Sequence, residues 1–341
     1  MNYKDMSEEL AFNVLINRIY SKTCLDFSRY KRGYIKRRIS GRMRAIGVNS
    51  YAQYLRYLEK NPEEYAHIMD SVAINVTEFF RDPGTFFAFR NEVLPEILSR
   101  KIGRKSRGEK VCGEAEKWRG NVLGSCDYGA RSDCEKHDGD DGMRATGCVG
   151  LGVRREALRS GAERSGTERS GTLRIWSAGC ASGEEPYTIA IILLEELGDN
   201  LGNLLVSILA TDIDDDALKK AMQGFYQPFS LKNIPPNILK KYFHSENGGY
   251  RIKDVVKRLV RFRKHDLISG EKLQYFDVIF CRNVMIYFSR ELQERLFMDF
   301  YNSLNDGGFL IIGKTETLTG EAREKFICVN VQERIFRKPP R

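Results

Sequence analysis

No C-x-x-C pair occurs among the eight cysteines, and no stretch approaches the roughly 18 consecutive apolar residues that a membrane span requires. The cysteines also lack the density of a small disulfide-stapled domain, so reduced thiols are the expectation. The N-terminal segment MNYKDMSEEL carries acids where a secretory signal needs a basic and then an apolar stretch, which points to a cytoplasmic protein. The turn after the first strong strand pattern lacks G-x-G-x-x-G, the glycine spacing that admits a pyrophosphate. No Ser/His/Asp or Cys/His grouping for nucleophilic catalysis is evident either.

What is present is a chain of 341 residues, 42% apolar and 30% charged, with room for two ordinary domains and a sizeable core. The net charge of +9 calls for an acidic partner. Residues 1 to about 75 carry helical periodicity in Leu10, Val14 and Ile19, and again in Tyr51, Tyr54, Leu55 and Leu58. Between these lies RYKRGYIKRRISGRMRAIG, with eight basic residues and no acid from Arg29 to Arg44. Tyr34 or Ile35, then Ile39, Met43 and Ile46, recur on one face, leaving the other cationic. Either this face is merely solvated, or it docks an anionic surface. Mutual repulsion among so many cations on one short helix favours docking.

Residues 101–172 break the pattern with 14 of the 30 glycines and the echo RSGAERSGTERSGT, the composition of a disordered insertion. Cys112, Cys126, Cys134 and Cys148 fall there at spacings of 13, 7 and 13 intervening residues, which match no zinc pattern, and no metal is expected. From Leu173 onward strands and helices alternate: LRIWSAG, then a helix over Glu184–Leu197; VSILATDID, then a helix to Gln223; FDVIFCRN, RELQERLFMDFYNSL and GGFLIIG. Continuous apolar strands separated by helices predict an α/β domain with a parallel sheet covered on both faces. In 224–266 the stretch GGYRIKDVVKRLVRF alternates like an antiparallel hairpin and predicts a small β excursion over about 240–266.

Sheets of this kind bind ligands at the carboxyl ends of their strands. The first such end reads SAGCASGEEP: Gly179, Ala181, Ser182 and Gly183 allow close backbone approach, and Glu184 and Glu185 occupy the helix start. Two acids there would repel a pyrophosphate, so a cationic or hydroxyl-bearing ligand suits the loop better. The second strand ends at Asp212, placed either to accept from both ribose hydroxyls or to cap the next helix. Together these favour an adenosine-containing ligand without phosphates. The third end carries Arg282 and Asn283 in FCRNVMIYF. Upstream, INVTEFFRDPGTFFAF sets Asn75, Thr77 and Arg81 among phenylalanines that read as packing core.

These stretches resemble the chemoreceptor glutamate methyltransferases of bacterial chemotaxis, the CheR family. The resemblance rests on YIKRRISGRM, NVTEFFRD, RIWSAGCASGEEPYTIA, LATDID, FDVIFCRNVMIYF and GGFLIIGKTE, in the family's order and over nearly the whole chain except the insertion. It implies an all-α N-terminal domain, here 1–82, a connecting segment 83–100, and a Rossmann-like S-adenosylmethionine-dependent methyltransferase domain over 173–341 with a small antiparallel β-subdomain. It implies that Asn75, Thr77, Arg81, Asp212, Asn283, Val284 and one of Glu184 and Glu185 hold the cofactor. It further implies that Arg37, Arg38, Arg42 and Arg44 dock the acidic part of the receptor's cytoplasmic domain. YFHSENGGYRI lacks the Arg-Gly-rich turn that members use on a receptor's tether peptide, so a tether-independent enzyme is expected. A monomer with no nucleic-acid partner and no membrane insertion is the further expectation.

A glutamate carboxylate with pKa of about 4.3 is already ionised at neutral pH, and a sulfonium is an activated methyl donor. Methyl ester formation therefore asks for no general base, only alignment and exclusion of water, and orientation supplies roughly 7–11 kcal/mol. Arg81 and Tyr287 are the two candidates for lining the reacting centre. A dehydrogenase would need glycines where this loop has acids, and a nucleic-acid amino-methyltransferase would carry Asn/Asp-Pro-Pro-Tyr/Phe in place of CRNVMIY. The remaining rivals are a non-catalytic module that senses the cofactor and a methyltransferase that acts on another acidic protein.

Overall fold

A computed structural model describes residues 6–23, 25–72, 77–102 and 171–340. The N-terminal part is four helices: α1 (Glu8–Thr23), α2 (Arg32–Ala45), α3 (Tyr51–Lys60) and α4 (Glu64–Val72). Glu8 and Glu9 sit in the first turn of α1, where the helix dipole favours acids. The Ser50 hydroxyl starts α3 by accepting from the Gln53 N–H. Buried residues three and four apart (Phe12, Leu15, Ile16 and Ile19 on α1; Tyr34, Ile35, Ile39 and Met43 on α2) make one apolar core with Tyr54, Leu55, Leu58 and Ile68. The Phe-rich segment follows as α5 (Pro83–Ala88), with proline in the first turn where its missing N–H costs nothing, and runs through a π-turn into α6 (Leu94–Ile102).

The rest is an α/β unit. Its strands are β1 (Gly171–Ala178), β2 (Leu204–Asp212), β3 (Phe225–Tyr226), β4 (Phe243–Glu246), β5 (Gly249–Ile252), β6 (Val260–Lys264), β7 (Phe276–Cys281), β8 (Leu304–Ile312), β9 (Ile327–Asn330) and β10 (Ile335–Arg337). The main sheet has the order β6-β2-β1-β7-β8-β10-β9. Its first five strands run parallel, and β10 is antiparallel to both its neighbours, β8 and β9. The parallel sheet read from the sequence thus continues into an antiparallel edge: a short connection turns the chain back after β9, with no room for a crossover helix. Helices α7 (Glu184–Leu197), α8 (Asp215–Gln223) and α11 (Arg290–Ser303) cover the sheet, and the shorter α9 (Pro236–Tyr242) and α10 (Asp254–Lys257) lie between β3 and β6. All six residues of β7 are buried, as expected of a strand covered on both faces.

The antiparallel excursion differs from its expected span. The small sheet is β3-β5-β4, and its hairpin closes at Ile252. Val260–Lys264, read as the far end of that hairpin, instead pairs parallel with Ile208–Asp212 at the edge of the main sheet. Alternation identifies a half-exposed strand without saying which sheet it joins, and an edge strand of the main sheet carries the same pattern.

Helical bundle and α/β unit meet around Tyr30. Its backbone bridges to Phe288, and Tyr287 accepts from the Lys31 N–H at 2.9 Å. The Tyr34 and Tyr287 rings lie 4.8 Å apart. Among the described residues, no helix is long and apolar enough to cross a membrane. Residues 103–170, which contain nearly all of the expected insertion and its four cysteines, lie outside the described set, as does Asn75.

Candidate active site

The two glutamates at the start of α7 have different surroundings. Glu184 turns away from the sheet end, where both its oxygens accept from the Ser182 hydroxyl, and burial pushes its carboxyl up to about 7. Glu185 turns into a cavity of about 260 Å³ at the carboxyl ends of β1, β2 and β7. It accepts from Ser177 Oγ at 2.7 Å and from Arg282 Nη1 at 3.2 Å. Gly179, at φ +76°, packs against Val284 so closely that any Cβ would collide with the valine side chain, and this brings the first and third strand ends together.

Asp212 accepts from the Ala181 N–H at 2.8 Å with one oxygen and from the Asp214 N–H at 3.0 Å with the other. Each oxygen keeps a further lone pair, and the side chain borders the cavity. Burial raises its pKa from the ordinary carboxylate value, opposed by those backbone donors. The cap of α8 is Asp214, not Asp212: Asp214 accepts from the N–H groups of Asp216 and Ala217. The alternative reading of Asp212 as the helix cap is thereby removed.

At the third strand end, Asn283 takes a left-handed conformation, φ 60°, rare outside glycine and asparagine. Glu316, from the GKTE stretch after β8, holds this turn by accepting from the Asn283 N–H at 3.1 Å and the Gly313 N–H at 2.6 Å. Asn283 Oδ1 is buried without a hydrogen-bond partner. An orphaned acceptor beside a cavity lined by Glu185 fits a ligand bearing an ammonium group, and Asp212's spare lone pairs fit vicinal hydroxyls. S-adenosylmethionine carries both.

Thr77, Arg81, Val284 and Tyr287 line the same cavity, so the structure gathers every described cofactor-site candidate there except Glu184. It also adds residues the sequence reading did not single out. Tyr30, His265 and Asp266 form part of the wall, and Glu316 supports it from behind. His265 and Asp266 directly follow β6, and assigning that strand to the hairpin hid them from the strand-end rule. Arg282, noted only as half of a polar pair, is buried and bound to Glu185, Asp82 and the Arg81 carbonyl. Cys180 and Cys281 are buried packing residues whose thiols burial pushes well above their ordinary pKa.

A second depression adjoins this cavity across Tyr287 and is lined by Lys31, Gly33, Tyr34, Arg37, Arg38 and Ile286. Arg37 is exposed there, and the Arg38 guanidinium lies 5.3 Å over the Tyr34 ring. Arg44 is exposed further along α2. Arg42 departs from the docking role expected of it. Its Nε and Nη2 bind both oxygens of buried Glu64 at 2.9 and 2.7 Å, and Tyr54 adds a third bond to the same carboxylate at 2.8 Å. Arg32 and Lys36 pair with Glu9, and Arg29 with Asp26. Half of the eight cations are thus paired with acids, and for Arg32, Lys36 and Arg42 the acids come from other helices, which spacing along α2 could not reveal.

A sheet of this order with acids at its first two strand ends defines a Rossmann-like methyltransferase domain, preceded by a helical bundle. The chain belongs to the CheR methyltransferase family: the family's SAM binding domain matches residues 155–335 and its all-alpha domain residues 10–73. It is 29% identical over 319 residues to a chemotaxis protein methyltransferase of Borreliella burgdorferi, covering 92% of this chain and 90% of that one. It is 28% identical to chemotaxis protein methyltransferase 2 of Vibrio cholerae, over 88% of this chain and 83% of that one. With the chemotaxis protein methyltransferase of Vibrio parahaemolyticus it shares 41% identity over 170 residues, 49% of this chain and 62% of that one.

Proposed function

We propose that the protein methylates glutamate side chains in the cytoplasmic domain of chemoreceptors, using S-adenosylmethionine and leaving S-adenosylhomocysteine. The observation that carries this reading is the junction at Tyr287, where a cavity lined by Glu185, Asp212 and Asn283 meets a groove lined by Arg37 and Arg38. The cavity suits a ligand with an ammonium, vicinal hydroxyls and no phosphate; the groove suits an acidic partner. Relatives named chemotaxis protein methyltransferases along most of their length support the same substrate class.

Bound in the cavity, S-adenosylmethionine supplies a methyl group already activated by its sulfonium. Glu185 and Asn283 Oδ1 would take the ammonium, and Asp212 the ribose hydroxyls. Arg81, on the cavity wall beside Tyr287, would orient either the incoming carboxylate or the cofactor's own. The protein's remaining task is to strip water from the glutamate carboxylate and align it, and neither needs a proton acceptor. Arg37 and Arg38 would guide the acidic receptor surface toward Tyr287. A monomer working in the cytoplasm without a metal completes the reading.

The deciding experiment incubates the protein with methyl-labelled S-adenosylmethionine and receptor-containing membranes. Base-labile methyl esters on the receptor are expected, released as labelled methanol. Binding of the cofactor with no labile label on any receptor would overturn the reading in favour of a cofactor-sensing module.

A further inference from the structure

Arg282 has almost no contact with solvent, its side chain being 2% exposed, yet it belongs to no core. Its guanidinium reaches three groups from two separate parts of the chain. Nη1 lies 3.2 Å from Glu185 Oε2, while Nη2 lies 2.8 Å from the Arg81 carbonyl and 2.7 Å from Asp82 Oδ2. The plane sits over Phe86, 5.1 Å from the ring centroid. Asp82 holds a left-handed conformation, φ 57°, that is strained for a residue with a side chain, and its carboxylate caps no helix N–H. Its carboxylate bonds to Arg282 instead. One cation therefore joins the β7 end, the start of α7 and the strained turn that carries Arg81.

We infer that Arg282 is a positioning residue for the methyl transfer: its guanidinium holds the Glu185 carboxylate aimed into the cavity and fixes the Arg81–Asp82 turn beside it. This rests on the proposed role of Glu185 toward the cofactor's ammonium. The electrostatics around Glu185 support it. Burial raises the Glu185 carboxyl above its ordinary pKa, and Arg282 is the main group opposing that rise, followed by the Ser177 hydroxyl and Arg81. The Cys180 and Cys281 thiols beside it are pushed up by burial and supply no positive charge. The same cavity is faced by Glu78, Asp212, His265, Asp266 and Tyr287; burial raises the pKa of Asp212 and lowers that of His265. A neutral Glu185 would lose its charge attraction for an ammonium, so without Arg282 the cofactor site would fail as pH falls through a range where the parent still binds.

The test measures cofactor affinity by calorimetry from about pH 6 to about pH 9 on the full chain, with thermal unfolding as a fold control. Arg282→Gln keeps an amide donor and removes the charge. Its acid limb, the pH of half-maximal affinity, is expected about one unit or more above the parent's. Arg282→Lys keeps the charge and is expected to retain the parental limb while losing catalytic rate, because an ammonium cannot bridge Glu185, Arg81 and Asp82 in one plane. Glu185→Gln in either background is expected to abolish the limb. A uniform loss of affinity at every pH in Arg282→Gln would make Arg282 merely structural and overturn the inference. Should that variant fail to fold, a displaced limb in Arg282→Lys overturns it instead. If Glu185→Gln alone binds the cofactor as the parent does, the reading of Glu185 itself fails, a separate outcome from a failure at Arg282.

Discussion

The basic helix α2 and the rim of the cofactor cavity carry charge in opposite ways. On α2 the cations are dense and largely solvated, and half of them are paired, Arg32 and Lys36 with Glu9 and Arg42 with Glu64. At the cavity the charges are buried, and Glu185, Asp212 and Arg282 are each held by specific partners. Exposed pairs contribute little because water screens them, whereas a buried ion without its partner is costly. Density of charge along the sequence is therefore a poor guide to where charge matters. The single Arg282 bears on the proposed chemistry more directly than Arg32 or Lys36, although only α2 stands out on reading.

The contrast can be broken at several points. The largest effect is expected for Asp212→Ala, which removes the proposed ribose acceptor and leaves the Ala181 and Asp214 N–H groups unpaired. Cofactor affinity measured by calorimetry should fall about a thousandfold, or about 4 kcal/mol. An unchanged affinity would move the ribose elsewhere. Next comes Glu184, which separates a buried acid from a functional one. Its folded pKa of about 7 lies above the ordinary 4.5, so the folded state holds the proton more tightly than the unfolded chain. That contribution to stability is complete below pH 4.5 and is lost as pH rises toward 7. Urea unfolding should show this decline, on the order of 2–3 kcal/mol, and Glu184→Gln should flatten it without altering cofactor affinity.

Arg42 provides the third test. Arg42→Ala leaves buried Glu64 with Tyr54 alone, so stability should drop by about 2 kcal/mol while the folded enzyme's KM for receptor is unchanged. A raised KM at parental stability would return Arg42 to docking. The smallest effects come from α2's exposed face. Arg37→Ala with Arg38→Ala should raise the KM for receptor about fivefold, roughly 1 kcal/mol, and flatten its dependence on salt. Arg32→Ala with Lys36→Ala should change both KM and stability by no more than about 0.5 kcal/mol.

Much of this molecule was legible before folding. The helical bundle followed from residues spaced three and four apart, and the strands β1, β2, β7 and β8 from short apolar runs between helices. Strand ends in such sheets form the crevice, so the Glu184–Glu185 pair, Asp212 and the Arg282–Asn283 pair could be nominated from position alone. The misreadings share a cause. Val260–Lys264 was assigned to the hairpin because alternation is a local signal, while membership of a sheet is decided by a partner some fifty residues away. Nothing local to α2 shows that Arg42 meets Glu64, because Glu64 lies on another helix.

The glutamate pair divides the two kinds of information most sharply. Sequence determined that two acids stand at the start of α7 and that they exclude a phosphate, because charge and helix polarity depend only on residue type and order. Which acid faces the ligand was decided by tertiary structure. Successive residues on a helix point about 100° apart, so the direction in which α7 packs on the sheet sends Glu185 toward Arg282 and the cavity and Glu184 toward Ser182.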